Sequence, residues 1–165
     1  MPEEDSSSPA TEELTSGQKR ANVIRLAFGG SEDKFNEFVN VVRQAIPPRT
    51  GVVLRGSAVT GERWKDGSPF DADGSGTSDL DLTLVGDDVI KFYKPTGFWV
   101  PGIHSRPLSD LDPDIAPDLV PLRERLMAMV KRPVNIQGSR DVVMYLRGEI
   151  GGQPYLVLID KPEDA

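Results

Sequence analysis

Apolar residues recur along this chain at two spacings, and each spacing predicts a different element. In SEDKFNEFVNVVRQAI, residues 31 to 46, Phe35, Phe38, Val39, Val42 and Ile46 fall three or four apart and line one face of a helix. Ser31 stands where a cap belongs, Glu32 and Asp33 suit the positive end, and Pro47 and Pro48 stop the run. GQKRANVIRLAFGG predicts a shorter helix before it, closing on Gly29. PDLVPLRERLMAMV predicts another, with prolines near its start and Leu119, Leu122, Leu126 and Val130 on one face.

Short apolar runs of strand length supply the second spacing. GVVLRGS, DLDLTLV, RPVNIQ and YLVLID each read as a strand. SRDVVMYLRGEI fits a helix capped by Ser139, with Val143, Leu146 and Ile150 inward, while strand alternation through Val142, Met144 and Leu146 fits nearly as well. Residues 58 to 78 form a polar stretch of a length more often functional than decorative. Residues 86 to 117, rich in Pro, Gly and aromatics, predict little regular structure, with Phe92, Tyr93, Phe98 and Trp99 expected to pack beneath a long loop or, as the alternative, to offer their rings to a stacking ligand. Strands alternating with helices give an α/β or α+β class with a small mixed sheet.

Composition narrows this. The 165 residues suffice for one core. Residues 1 to 16, acidic and poor in bulky apolar side chains, predict a disordered tail, with a single domain from 17 to 165. The tail lacks the basic start and apolar run of a signal peptide, and no window has the length of a membrane span, so a soluble, cytoplasmic protein is expected. The absence of cysteine removes disulfides, thiolate metal sites and cysteine nucleophiles. His104 is the only histidine, which excludes a His-rich zinc site and leaves any Ser-His-Asp triad hanging on one residue, itself read as a loop residue beside Pro and Gly. A net charge of -7 argues against extended nucleic-acid binding, though not against a local basic pocket.

Against this background GTSDLDLTLVG is unexpected. Strand alternation puts Leu80, Leu82 and Leu84 on one face and Asp79, Asp81 and Thr83 on the other. Aspartate is a poor strand former, and two carboxylates side by side repel. One or two Mg²⁺ ions, which take oxygen ligands and commonly bridge to phosphate, would relieve that repulsion. Upstream, in RGSAVTG, Gly56 permits close backbone approach at a strand end and Ser57 offers a hydroxyl and an N–H to a phosphate oxygen. Alone, Gly-Ser also reads as an ordinary turn.

Together these pieces resemble the nucleotidyltransferase superfamily that includes DNA polymerase beta, and most closely its minimal domains. The family pattern is a strand, G-S-x-x-x-G, then S-D-x-D and an apolar residue on the next strand. Gly56, Ser57 and Gly61 match the first part, and Ser78, Asp79, Leu80, Asp81 and Leu82 the second. LRERLMAMVKRPVNIQ is similar to the helix and strand that follow, so the likeness spans roughly residues 31 to 150. The resemblance implies the family's mixed sheet flanked by helices. It also implies that Gly56 and Ser57 grip the β- and γ-phosphates of a nucleoside triphosphate and that Asp79 and Asp81 hold Mg²⁺ or Mn²⁺. A nucleoside monophosphate would pass to an acceptor such as a protein side chain, a tRNA end or a cationic small molecule, and pyrophosphate would leave. Family members of this size often pair with a small helical partner protein, which the resemblance also allows.

Three departures bear on that expectation. The third family carboxylate falls on Asn135, whose amide oxygen can touch metal but cannot take a proton. Asp160, Asp71 and Asp73 are the candidates to replace it, although Asp160 also reads as a polar residue at a strand end. Thr60 stands where the family commonly has arginine, leaving Arg63 and Lys65 of the insertion to neutralise triphosphate or to lie in a solvated loop. DADGSGTSDLDL tempts comparison with a calcium loop, but Leu82 occupies the position that needs an acid. The expectation is therefore a Mg²⁺-dependent nucleotidyltransferase. Asn135 keeps open an alternative: a domain of the same fold that binds nucleotide or a partner without catalysis.

Overall fold

The computed structural model describes residues 14–63, 66–141 and 153–160. Its first helix, α1 (Ser16–Ala27), opens on a reciprocal cap: the Thr15 hydroxyl accepts from the Gln18 N–H at 3.1 Å, and the Gln18 side chain accepts from the Thr15 N–H at 2.8 Å. The helix thus takes in Ser16, the last residue of the stretch read as tail. Helix α2 (Glu32–Ala45) is capped by Ser31, whose hydroxyl accepts from the Lys34 N–H, and it buries Phe35, Phe38, Val39 and Val42 as their spacing predicts. Phe28 meets Phe35 and Phe38 edge-on, with centroids 5.5 and 5.2 Å apart, which locks the α1–α2 corner.

Among the described residues six strands form one mixed sheet: β1 (Gly51–Arg55), β2 (Leu80–Val85), β3 (Phe98–Val100), β4 (His104–Ser105), β5 (Val134–Ser139) and β6 (Tyr155–Ile159). Their spatial order is β3-β4-β5-β2-β1-β6. Only β2 and β5 run parallel, and the long connection that parallel pairing requires carries β3, β4 and helix α4 (Val120–Val130). A one-turn helix, α3 (Ser57–Thr60), follows β1 directly.

Leu80, Leu82 and Leu84 point into the main core with Val52, Leu54, Val134, Ile136 and Leu156, against Phe38, Val42, Leu122 and Leu126 of the helices. Each such leucine, fully withdrawn from water, contributes roughly 2 kcal/mol. The other face of β2 is thereby fixed, and it carries Asp81 and Thr83. One register slip would drive the aspartates into the core.

The stretch from 86 to 117 holds more regular structure than its composition predicts. It contains the β3–β4 hairpin at the sheet edge and short 3₁₀ turns at Val89–Phe92, Pro95–Gly97 and Pro117–Leu119. Strands of three and two residues are too short for alternation to reveal. The aromatics do pack: Tyr93 is buried and donates to the Ile136 carbonyl at 2.7 Å, while Phe92 and Phe98 lie against the core. Tyr93 fits only because residue 138 is glycine, since a Cβ there would stand 2.6 Å from the ring. Trp99 is the exception, 52% exposed on β3.

His104 is not the loop residue expected. It sits in β4, 4% exposed, opposite Ser139 in register, with Nδ1 2.8 Å from the Ser139 hydroxyl. Its Pro and Gly neighbours form the hairpin turn instead. Residues 142 to 150, where helix and strand readings competed, lie outside the described residues, as do residues 1 to 13. Among the described residues no helix is long and apolar enough to cross a membrane.

Candidate active site

Where β1 ends, the chain turns through Gly56 at φ 113° and ψ -179°, a conformation almost confined to glycine. The turn lies beside the acidic pair: a Cβ at residue 56 would stand in ordinary contact, 3.6 Å from Asp81 Oδ2 and 3.7 Å from the Asp79 carbonyl. Ser57 then opens α3, which closes on left-handed Gly61 and is tied to α1 by the Asn22 amide donating to the Val59 carbonyl at 3.0 Å. The glycines therefore have conformational reasons, and the Ser57 position is held from both ends.

Asp79 stands at the mouth of β2 and Asp81 two residues in. Asp81 pairs in register with Arg55 on β1 and with Asn135 on β5. The Asn135 side-chain NH₂ donates to Asp79 Oδ2 and to Asp81 Oδ1, each at 2.9 Å. One nitrogen thus touches both carboxylates, which places them within reach of any single small group. Burial and the neighbouring Asp79 charge push the Asp81 carboxyl up to about 6 from 3.8, against the opposing pull of Arg55 and of the Asn135 hydrogen bond.

Gly56, Ser57, Arg63, Thr77, Ser78, Asp79, Asp81 and Gln153 line a cavity of about 470 Å³. A smaller neighbour of about 190 Å³ shares Gly56, Arg63 and Gln153 and adds Thr60 and Glu62. The structure therefore gathers Gly56, Ser57, Arg63, Asp79 and Asp81 at one opening, with Asn135 bonded to its acidic wall. Arg63 also donates to Asp73 at 2.7 Å, a contact that raises its already high pKa. Lys65 lies outside the described residues.

None of the three candidate replacement carboxylates joins the pair. Asp71 is consumed by structure: its carboxylate accepts from the Ser78 and Gly76 N–H groups and from Arg132, which binds both oxygens at 2.8 and 3.1 Å. Arg132 also donates to the Ser78 carbonyl at 2.8 Å and stacks 4.5 Å from the Phe70 ring centroid. These contacts hold the Asp71 carboxyl far below the usual range. The loop that suggested calcium ligation is folded around a guanidinium instead. Asp73 is 70% exposed and paired with Arg63. Asp160 follows Ile159, which pairs with Val52, so it lies at the far end of β1 from Arg55. Among the described residues no three His, Cys, Asp or Glu side chains gather as a metal-binding group. Among the described residues the acidic wall is two carboxylates and an amide.

Four contributors escaped the sequence reading: Arg55, Arg132, Thr77 and Gln153. For Arg55 a signal existed, because strand alternation puts it on the same face as Val53 and its antiparallel partner Asp81. Arg132 gave none, since its partner Asp71 is distant in sequence. No protein-family model, curated protein or solved structure matches this chain.

Proposed function

We propose that this protein is a divalent-metal-dependent nucleotidyltransferase that moves a nucleoside monophosphate from a nucleoside triphosphate to an acceptor. The observation that carries the reading is the approach of Asp79 and Asp81 to one shared atom beside the Gly56–Ser57 turn, on the wall of a cavity large enough for a small ligand. Asp79 and Asp81 would hold Mg²⁺ or Mn²⁺, whose chemistry when bound is to polarise phosphoryl oxygens and to offset developing charge. The remaining work belongs to the chain itself. Gly56 lets phosphate approach the backbone, Ser57 offers a hydroxyl, and Arg63 adds positive charge. Positioning of the α-phosphorus for in-line attack supplies much of the remaining rate.

The fit requires one local change. Asn135 presents its NH₂ to the carboxylates, and an NH₂ cannot ligate a cation, so with metal bound the amide would have to turn over and offer Oδ1. The same residue favours a second reading, a nucleotide-binding domain without catalysis, because no amide can take a proton from the acceptor. A nucleoside triphosphate substrate is plentiful inside cells, which supports the expected cytoplasmic location.

Incubation with each α-labelled nucleoside triphosphate, Mg²⁺ and cell extract separates the two. We expect label to pass to an acceptor with the wild-type protein and to fall at least about 10³-fold with Asp79→Ala/Asp81→Ala. Mg²⁺-dependent nucleotide binding with no transfer and no pyrophosphate release would favour the silent binder.

A further inference from the structure

We infer that this chain associates with copies of itself head to tail, with Leu111 of one copy seated in the pocket between Ile46 and Ile159 of the next. The contact is independent of the proposed chemistry, and it shares no residue with the cavity beside Asp79 and Asp81.

Leu111 is 92% exposed, the most of any large apolar side chain among the described residues. A lone leucine in water is ordinary on a protein surface. What sets this one apart is the bracing of the loop that carries it. The Asp112 N–H donates to the Ser109 carbonyl at 3.1 Å, and the Leu111 N–H donates to the Ser109 hydroxyl at 3.2 Å. On one side of Leu111 the Arg106 guanidinium donates to both Asp112 oxygens, at 3.1 and 3.2 Å, and to the Thr96 carbonyl at 2.9 Å. On the other, buried Arg123 donates to Asp110 at 2.9 Å and to the Val134 carbonyl at 2.7 Å. Two guanidiniums hold the loop from both flanks, so docking the leucine costs little further ordering.

The matching pocket has a volume of about 340 Å³. Ile46, Pro47 and Ile159 give it apolar walls, and Arg43 and Arg49 line it beside one carboxylate, Asp160. Ile46 and Ile159 are only partly buried within their own chain, which leaves apolar surface for a partner's side chain to cover. Charge favours the same pairing. The loop sets Asp110, Asp112 and Asp114 against its two bracing arginines, an excess of one negative charge. The pocket sets Arg43 and Arg49 against Asp160, an excess of one positive charge. The groove between α2 and α4, by comparison, balances Arg125 against Asp118 and offers no such excess.

Loop and pocket stand at opposite ends of the sheet. Through Arg123, Asp110 is tied to Val134, which pairs with Leu80 where β2 begins. Thr50, also in the pocket lining, precedes Gly51, which pairs with Val85 where β2 ends. The length of β2 separates the two by roughly 17 Å, so a braced Leu111 does not reach the pocket of its own chain. A contact between two different surfaces is heterologous, and it repeats until a ring closes or an open chain grows. One side chain and its surround bury less than a stable interface needs, so the association is weak.

The test is sedimentation equilibrium of the full chain from about 10 μM to about 1 mM, the range of weak contacts, in about 0.15 M salt to screen the net charge of -7. We expect the weight-average mass to climb past that of two copies at the top of the range. Leu111→Ser and Arg43→Glu/Arg49→Glu, all at exposed positions, should each stay monomeric with an unchanged thermal midpoint. An equimolar mixture of the two should form a dimer and nothing larger, because each variant keeps the half that the other has lost. A wild type monomeric throughout would leave the pocket to another occupant and overturn the inference, as would a plateau at two copies. So would a Leu111→Ser protein that associates as wild type does, or a mixture of folded variants that stays monomeric.

Discussion

Asp81→Asn is expected to abolish Mg²⁺-dependent nucleotide binding and, at the same time, to make the metal-free protein more stable. The two effects share one cause. Burial and the Asp79 charge raise the Asp81 carboxyl to about 6 from 3.8, so in the folded state its ionised form is disfavoured relative to the unfolded chain. The sign follows from the proton count. Below pH 4 the carboxyl is protonated in both states and costs nothing. Between pH 4 and 6 the folded protein holds a proton that the unfolded chain has lost, so stability falls as pH rises, and above pH 6 the full penalty is present. The asparagine variant is spared that penalty and still offers an oxygen to the Asn135 NH₂. The raised value is already net of the Arg55 attraction, and we expect a gain of roughly 1–3 kcal/mol at pH 7. Urea denaturation at pH 4 and pH 7 reads it: the curves should nearly coincide at the lower pH and separate at the higher. Added Mg²⁺ with nucleotide should then stabilise wild type alone. A variant less stable than wild type at pH 7 would show that Asp81 serves the fold.

Arg132→Met is expected to be the most destabilising single change near the site, at about 2–4 kcal/mol. Arg132 is nearly buried, binds both Asp71 oxygens and the Ser78 carbonyl, and stacks on Phe70. Methionine fills much of the volume but leaves the Asp71 carboxylate without its cation. Arg132→Lys should recover only part of the loss, because an ammonium cannot make the paired contacts of a guanidinium. Since Asp71 has its pKa lowered by this partner, the contribution is fully present above pH 4 and disappears only in strong acid. Chemical denaturation at neutral pH measures the loss. A change below about 0.5 kcal/mol would mean that the loop from 71 to 78 holds Ser78 and Asp79 without Arg132.

What could be read from the sequence, and what could not, divides on physical grounds. The α2 and α4 stripes and the Leu80, Leu82, Leu84 face were legible because each is a local pattern repeated over more than one period. The meeting of Gly56, Ser57, Asp79 and Asp81 was legible because two short motifs sat at the ends of neighbouring strands, where β1–β2 pairing brings them together. Asn135 followed only from the resemblance, as the residue that stands where the family carries its third carboxylate. The β3–β4 hairpin and the burial of His104 were not legible, because strands of three and two residues carry no period and the histidine's partner, Ser139, lies on β5. Nor was the fate of Asp71. A carboxylate in a glycine-rich loop reads as a free ligand until the distant Arg132 that occupies it is seen.

The most direct measurement is the anomalous scattering of Mn²⁺ in crystals grown with a non-hydrolysable nucleoside triphosphate. The account predicts manganese in contact with Asp79 and Asp81, the Asn135 amide turned over, and the nucleotide's terminal phosphates against Gly56 and Ser57. A nucleotide bound elsewhere, with the Asn135 NH₂ still bridging two metal-free carboxylates, would contradict it.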